Sequence, residues 1–375
     1  MGGCGGDVGC CPVPAQHGRQ TLSIPPIVGA RTLCLPRSVA VKVEGKRVLV
    51  TGGAGFVGSH LVDLLAPSNE VTVLDDFSVG TRANLSSSPQ TNVLHADIRD
   101  VDAIEGAVKQ SDVIFHLAVV CLRVSIPDPM ASHDVNALGT LNVLLAARDS
   151  ALQRFVYVSS SEVYGTAHHV PMEERHPLNP MTPYAAAKLA GEAYALSFHR
   201  TYGLPATVVR PFNVYGPRAH AEGASGEVIP RFVARAIAGK PLVVFGDGLQ
   251  TRDFTWVGDT VRGIVKAAEC DELVGDCINI ARGHEVSVVD IARLVWELTG
   301  TRSPIQHQPD RPGDVRRHFA GVERARSLLG FTATVGIEEG LARYVDWVKS
   351  QPDRLDSGLE AEEARNWQLA AAAGA

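Results

Sequence analysis

Short runs of apolar, β-branched residues alternate with helix-spaced stretches through the middle of this chain. KRVLVT (46–51) reads as a buried strand, followed by a Gly-rich turn and a helical stretch from Phe56 to Leu65. VTVLD (71–75), NVLHAD (92–97) and DVIFHLA (112–118) read as the second, third and fourth strands. Helical spacing returns from Val135 to Ala147, before a strand at RFVYVSS (154–160). A helix from Tyr184 to Tyr202 then precedes the strand ATVVR (206–210). Strands apolar on both faces and separated by helices predict an α/β fold, a Rossmann-type, doubly wound parallel sheet covered on both sides. After Arg210 the rhythm loosens. Pro, Gly and loops increase, with helices predicted at Gly226–Ala238, Val286–Leu298 and Ile337–Lys349. This pattern predicts a smaller, mixed α/β C-terminal domain packed at the carboxyl edge of the sheet, where open α/β folds bind ligands.

The two ends differ from this middle. Through residue 40 the only charges are Asp7, Arg19, Arg31 and Arg37, and Pro25, Pro26 and Pro36 interrupt the mildly apolar part. No continuous apolar core follows a basic start, so a signal peptide is not expected. Residues 1–43 are read as a disordered leader and residues 351–375, Ala-rich at the end, as a tail.

Composition narrows the function classes. The chain has 375 residues, 45% hydrophobic and 20% charged, which fits globular structure rather than disorder. Lys+Arg 35 against Asp+Glu 41 gives a net charge of −6, so a general nucleic-acid partner is not expected. No run approaches the ~20 apolar residues of a membrane helix, and no membrane partner is expected. The seven cysteines form no zinc-like spacing and no disulfide framework. They read as thiols in a reducing, cytoplasmic compartment, and no metal is predicted.

Two constellations carry chemistry. In TGGAGFVG (51–58), Gly52, Gly55 and Gly58 fall between a strand and a helix. Glycine there allows a tight turn, close approach of backbone N–H groups to a pyrophosphate, and packing of helix on sheet. Asp75 ends the next strand about twenty residues on, where an acid accepts both adenosine ribose hydroxyls and repels a 2′-phosphate. NAD, rather than NADP, is the predicted cofactor. Asp97 ends the third strand and has two readings, contact with adenine or a plain strand-end cap. The second constellation is Ser160 with Tyr184 and Lys188. The spacing Tyr-Ala-Ala-Ala-Lys puts the phenol and the ammonium on one helix face. A cation there favours phenolate, so the tyrosine can exchange a proton with a sugar hydroxyl near neutral pH.

With these residues the chain resembles the extended short-chain dehydrogenase/reductases, specifically the NAD-dependent nucleotide-sugar epimerase/dehydratase group. The resemblance spans about residues 45 to 350. It is carried by TGGAGFVG, HLA (116–118), Asn136 in NALGTLNVL, SSSEVYG, YAAAK, RPFNVYGPR (210–218), GDGLQTRDF (246–254) and RPGDV (311–315). The family usually continues HLA with a second Ala, where this chain has Val119, and the segment His116 to Ser125 is one residue short. The resemblance implies that Phe56, Val57, Ile98, Leu117 and Ala118 join the three glycines, Asp75, Asp97, Tyr184 and Lys188 in holding NAD. It implies an NAD-binding domain at 44–210 and a mainly substrate-binding region at 211–350, with segments returning to the first. Ser160 would bond the sugar 4-hydroxyl, Tyr184 would act on it as acid and base, and Lys188 would hold the nicotinamide ribose. Asn213, Arg252 and Arg311 match positions that hold a diphosphate, and Ser161 and Glu162 face the sugar. Asn136 reads as a structural helix-start residue near the site.

Within the group, a 4,6-dehydratase carries Thr-Asp-Glu before VYG, and here the Asp position is Ser161. A uronate decarboxylase carries Thr-Ser-Glu, close to Ser160-Ser161-Glu162, with a Pro-rich loop after HLA that this chain lacks. A 4-epimerase needs only the Ser/Tyr/Lys set and room for the sugar to turn. The expectation is a UDP-hexose 4-epimerase, with dehydratase or decarboxylase as alternatives, and a non-catalytic NAD-binding sensor as the alternative of a different class. Apolar residues on more than one face of the Tyr184–Tyr202 helix predict a homodimer.

Overall fold

The strands that read as apolar on both faces do lie between two helical layers. The structure, a computed structural model, describes residues 41–221, 226–310 and 314–352. Its strands are β1 (Arg47–Thr51), β2 (Glu70–Asp75), β3 (Asn92–His95), β4 (Val113–His116), β5 (Arg154–Val158), β6 (Ala206–Pro211), β7 (Val214–Tyr215), β8 (Leu242–Phe245), β9 (Thr251–Asp253), β10 (Thr255–Trp256), β11 (Cys277–Ile280), β12 (Glu285–Ser287), β13 (Ile305–Gln308) and β14 (Arg317–His318). Its α-helices are α1 (Phe56–Leu65), α2 (Val101–Lys109), α3 (Leu122–Ser125), α4 (Pro129–Ser132), α5 (Thr140–Arg148), α6 (Pro183–Tyr202), α7 (Val228–Ile237), α8 (Val257–Ala268), α9 (Val288–Thr299), α10 (Glu323–Leu329) and α11 (Ile337–Lys349).

Seven strands form one parallel sheet in the order β3-β2-β1-β4-β5-β6-β11. Successive side chains of a strand point to opposite faces. Val48 and Val50 of β1 accordingly join one apolar cluster with Leu61 and Val62 of α1 and Ile264 of α8. Leu49, between them, joins the other with Ile104 of α2, Leu144 of α5 and Phe198 of α6. All five residues of β5 are buried, as a central parallel strand requires. Each such Val, Leu or Phe contributes roughly 1.5–3 kcal/mol on leaving water.

The strand order reverses between β1 and β4, and the carboxyl ends of these two strands, Thr51 and His116, sit side by side. A crevice at such a point is where open α/β sheets take ligands. The seventh strand, β11, and helix α8 come from the C-terminal region and return to the sheet. The rest of that region has its own apolar cluster, in which Phe232 of α7, Val244 of β8, Ile291 of α9 and Tyr344 of α11 meet. The described residues all belong to one compact unit nonetheless.

Several boundaries differ from expectation. Packing begins before residue 44, because Val43 is buried in the core and its N–H donates to Glu269 Oε1 at 3.1 Å. The helix expected from Val286 starts at Val288, after Glu285–Ser287 pairs as a strand with β9. Asn136 does not start a helix. It lies inside a π-helical turn, His133–Gly139, that joins α4 to α5. Residues 1–40 and 353–375, read as leader and tail, and Arg311 lie outside the described residues. Among the described residues no helix is long and apolar enough to cross a membrane, and no group of three or more His, Cys, Asp or Glu could hold a metal ion.

Candidate active site

The glycines of the β1–α1 turn are there for space. Gly52 has φ +68°, and a Cβ on it would lie 2.7 Å from the Ala118 nitrogen; one on Gly58 would lie 2.1 Å from the Gly52 carbonyl oxygen. Gly55 caps α1 without a side chain, which leaves the helix N-terminus open to an anion. Asp75 ties this turn to the end of β2: Oδ2 accepts from Ala54 N–H and Oδ1 from Phe77 N–H, each at 2.9 Å. Burial pushes the Asp75 carboxyl up, against those two hydrogen bonds. Asp97 satisfies its cap reading, since it accepts from the N–H and guanidinium of Arg99, which holds its pKa down. It also lines the cavity.

That cavity has a volume of about 420 Å3. Gly52, Gly55, Phe56, Val57, Gly58, Asp75, Asp97, Ile98, Leu117, Ala118, Ser160, Ser161, Glu162, Tyr184, Lys188 and Asn213 all line it. Residues spread over more than 160 positions thus meet in one space, and that space fits a dinucleotide by its chemistry: a glycine cradle, an open helix N-terminus and a strand-end acid. Beneath it, Thr51 and Thr140 hold His116 from either side. The Thr140 hydroxyl donates to Asn136 O, so it accepts from His116 Nε2 at 2.9 Å; Nδ1 then accepts from Thr51 at 2.7 Å. Thr51 Oγ1 in turn accepts from the N–H groups of Leu117 and Ala118. Burial lowers the His116 pKa to about 3. This support of the wall was not legible in the sequence.

Ser160 follows β5 and caps the 3-10 turn Ser161–Tyr164, its Oγ accepting from Glu162 N–H at 3.2 Å. Thr182 caps α6 through Ala185 N–H, Pro183 opens it and Gly203 closes it in the left-handed conformation, so Tyr184 lies in the first turn and Lys188 one turn on. The expected lowering of the Tyr184 pKa by Lys188 is not what this structure shows. Burial pushes the phenol up, a hydrogen bond with Ser160 opposes this, and the charges of Glu162 and Glu227 raise it further. Lys188 is turned aside: Nζ donates to Val158 O at 2.6 Å and sits 4.4 Å from the centre of the Tyr157 ring. Burial brings the Lys188 pKa down to about 7, with Glu192 opposing. Both groups are biased toward their neutral forms.

Next to this cavity lies a second of about 170 Å3, with Leu122, Arg123, Glu162, Asn213, Val228 and Phe254 shared between them. Asn213 Oδ1 is buried with no hydrogen-bond partner among the described residues, which suits a ligand. Arg252 lines only the second pocket. Its guanidinium donates to Asp314 at 2.6 Å and to the Val315 and Thr251 carbonyls. Arg231 and Arg235 of α7 line this pocket too and were missed, although VIPRFVAR places them one turn apart. Arg123, His220 and Glu227 line the first cavity and were also missed, because no spacing links them. His318, buried against Ser161, donates from Nε2 to the Ser161 carbonyl at 3.0 Å. Burial lowers its pKa to about 4.

Comparison with known proteins identifies the family. The NAD dependent epimerase/dehydratase family matches residues 48–281. A putative UDP-glucose 4-epimerase of Methanocaldococcus jannaschii is 36% identical over 307 residues, 81% of this chain and 98% of that protein. UDP-glucuronic acid decarboxylase 1 of Arabidopsis thaliana is 34% identical over 341 residues, 88% of this chain and 75% of that protein. Among solved structures, a dTDP-glucose 4,6-dehydratase of Streptomyces venezuelae with NAD bound has a TM-score of 0.78 at 34% identity, covering 82% of this chain and 98% of that one. Three reactions are represented among these similar chains.

Proposed function

The chain belongs to the NAD-dependent epimerase/dehydratase family, and from that membership we propose that it is a nucleotide-sugar 4-epimerase acting on a UDP-hexose. NAD is its cofactor and, when bound, supplies the hydride acceptor and donor for C4 of the sugar. On this reading Tyr184 takes and returns the proton of the sugar 4-hydroxyl, and Ser160 holds that oxygen by a hydrogen bond. Gly52, Gly55, Phe56, Val57 and Gly58 cradle the pyrophosphate, Asp75 takes the adenosine ribose, Asp97 and Ile98 lie toward the adenine, and Leu117, Ala118 and Lys188 flank the nicotinamide half. Asn213, Arg252 and Arg311 hold the substrate diphosphate, for which arginine is the natural donor.

One observation sets the choice against a dehydratase, and the missing Pro-rich loop after HLA sets it against a decarboxylase. Ser161 stands buried on the cavity wall beside Ser160, where a 4,6-dehydratase needs a carboxylic acid to protonate a departing C6 hydroxyl. A serine hydroxyl is far too weak an acid for that step. A second reading, decarboxylation of a uronate, is favoured by Glu162, which faces the same cavity. A non-catalytic sensor would have no use for Ser160, Tyr184 and Lys188 meeting in one cavity. The protein is further proposed to form a homodimer through α5 and α6, where Leu145 and Tyr194 leave 43% and 38% of their surface exposed.

The test is a panel of UDP-, dTDP- and GDP-sugars incubated with the purified protein and separated by chromatography with mass detection. A product of unchanged mass supports the epimerase. Loss of water or of carbon dioxide would assign one of the rivals.

A further inference from the structure

Two acids of the cavity wall, Asp76 and Glu227, have been given no role, and Asp76 follows Asp75 at the adenosine end. Glu227 immediately precedes α7 and lines the same space as Ser160, Glu162 and Tyr184. The next residue, Val228, lines both this cavity and the smaller one beside it, as do Arg123, Glu162 and Asn213, which places Glu227 toward that junction rather than the adenosine end. Arg123 and His220 line that space as well, and both favour the charged form of Glu227 while burial disfavours it. An acid facing a pocket interior is costly unless cations or hydrogen-bond donors answer it.

A guanidinium at the sugar end of such a site would, alone, draw a substrate carboxylate by a charge-assisted, two-pronged pair. A carboxylate beside that guanidinium engages its charge and repels a second carboxylate at close quarters. It can still accept hydrogen bonds from neutral hydroxyls. We propose that Glu227, on the wall of the same cavity as Arg123, is a specificity-determining residue that admits neutral nucleotide hexoses and refuses nucleotide uronates. The proposal rests on the nucleotide-sugar reading above and narrows it.

The experiment measures binding apart from turnover. UDP-glucose and UDP-glucuronate are titrated by calorimetry into the wild-type holoenzyme, Glu227→Gln and Arg123→Met, with the melting temperature of each recorded. Wild type should bind the neutral sugar at least about tenfold more tightly than the uronate. Glu227→Gln should move the affinity ratio toward the uronate by about tenfold or more, and Arg123→Met should move it the other way. The second variant decides the matter if the first does not fold. A ratio unchanged within about twofold in the folded variants, or a wild type that prefers the uronate, would overturn the assignment. If the ratio shifts as expected while no sugar is epimerised, Glu227 keeps its role and only the reaction assignment falls.

Discussion

The Asn136 carboxamide holds Val120 by both of its main-chain groups, Oδ1 accepting from the Val120 N–H at 2.8 Å and Nδ2 donating to its carbonyl at 3.0 Å. Nδ2 also donates to Ser132 Oγ at 3.1 Å. The side chain thus copies one rung of a strand pair and fixes the short segment between β4 and α3. Val119, Val120 and Cys121 of that segment wall the cavity, as does Leu122 at the start of α3. The π-helical turn around Asn136 aims the carboxamide at Val120, and such turns recur at functional sites.

Asn136→Asp keeps the acceptor, deletes the donor and sets a carboxylate oxygen against the Val120 carbonyl. It should cost about 1–3 kcal/mol of stability, the usual penalty for a buried polar group left unpaired. Because the wall loosens while Tyr184 stays in place, KM should rise more than kcat falls. An unchanged denaturation midpoint would show that the rung contributes nothing.

Stability should fall in acid partly through two buried histidines. His116 and His318 have pKa values lowered from 6.5 to about 3 and about 4. Between pH 6.5 and those values the unfolded chain binds protons that the folded chain does not. Their contribution is therefore complete above pH 6.5 and is lost as the pH falls toward 4. His318→Gln retains a donor for the Ser161 carbonyl but cannot titrate. Its melting temperature should decline less steeply than that of wild type between pH 7 and 4.5; parallel curves would remove His318 from the account.

Cofactor choice should follow Asp75. Wild type should bind NAD far better than NADP, because a half-buried phosphate and a carboxylate repel at close range. Asp75→Ala should weaken NAD and relax the rejection of NADP, as fluorescence titration of both cofactors would show. The same substitution frees the N–H groups of Ala54 and Phe77, so some loss of melting temperature should accompany it. Equal wild-type affinity for the two cofactors would contradict the role given to Asp75.

Placing charges on the α5–α6 face should separate subunits. Leu145→Arg combined with Tyr194→Arg alters two exposed side chains. Light scattering after size exclusion should show a dimer for wild type and a monomer for the pair. A monomeric wild type would withdraw the dimer.

Six of the seven sheet strands were legible because each is an apolar, β-branched run that ends in a turn or a helix. The seventh, CINI at 277–280, is as apolar but follows a loop-rich stretch and lacks the preceding rhythm, so only its partner β6 reveals it. The Gly52/Gly55/Gly58 turn and the Ser160/Tyr184/Lys188 set were legible because their spacing is local or is anchored to a strand end. Arg123, His220 and Glu227 were not, since they come together only when the C-terminal region folds back over the sheet. The charge relation of Tyr184 and Lys188 was misjudged for a related reason. Helical spacing places the two residues on one face, but it does not show that the ammonium turns to the Val158 carbonyl.

The reaction itself is decided at C5 of the sugar. Every reaction of the group starts by removing the 4-hydroxyl proton, so Tyr184→Phe should lower turnover by about a hundredfold or more with binding little changed. A dehydratase needs a carboxylate at Glu162 to take the C5 proton, whereas a 4-epimerase breaks no bond there. Turnover of UDP-glucose in deuterium oxide, followed by NMR of the recovered sugars for wild type and Glu162→Gln, tests this directly. The account predicts both C4 epimers, no deuterium at C5, and a Glu162→Gln rate within about tenfold of wild type. Deuterium at C5, or a Glu162→Gln loss as deep as that of Tyr184→Phe, would contradict it.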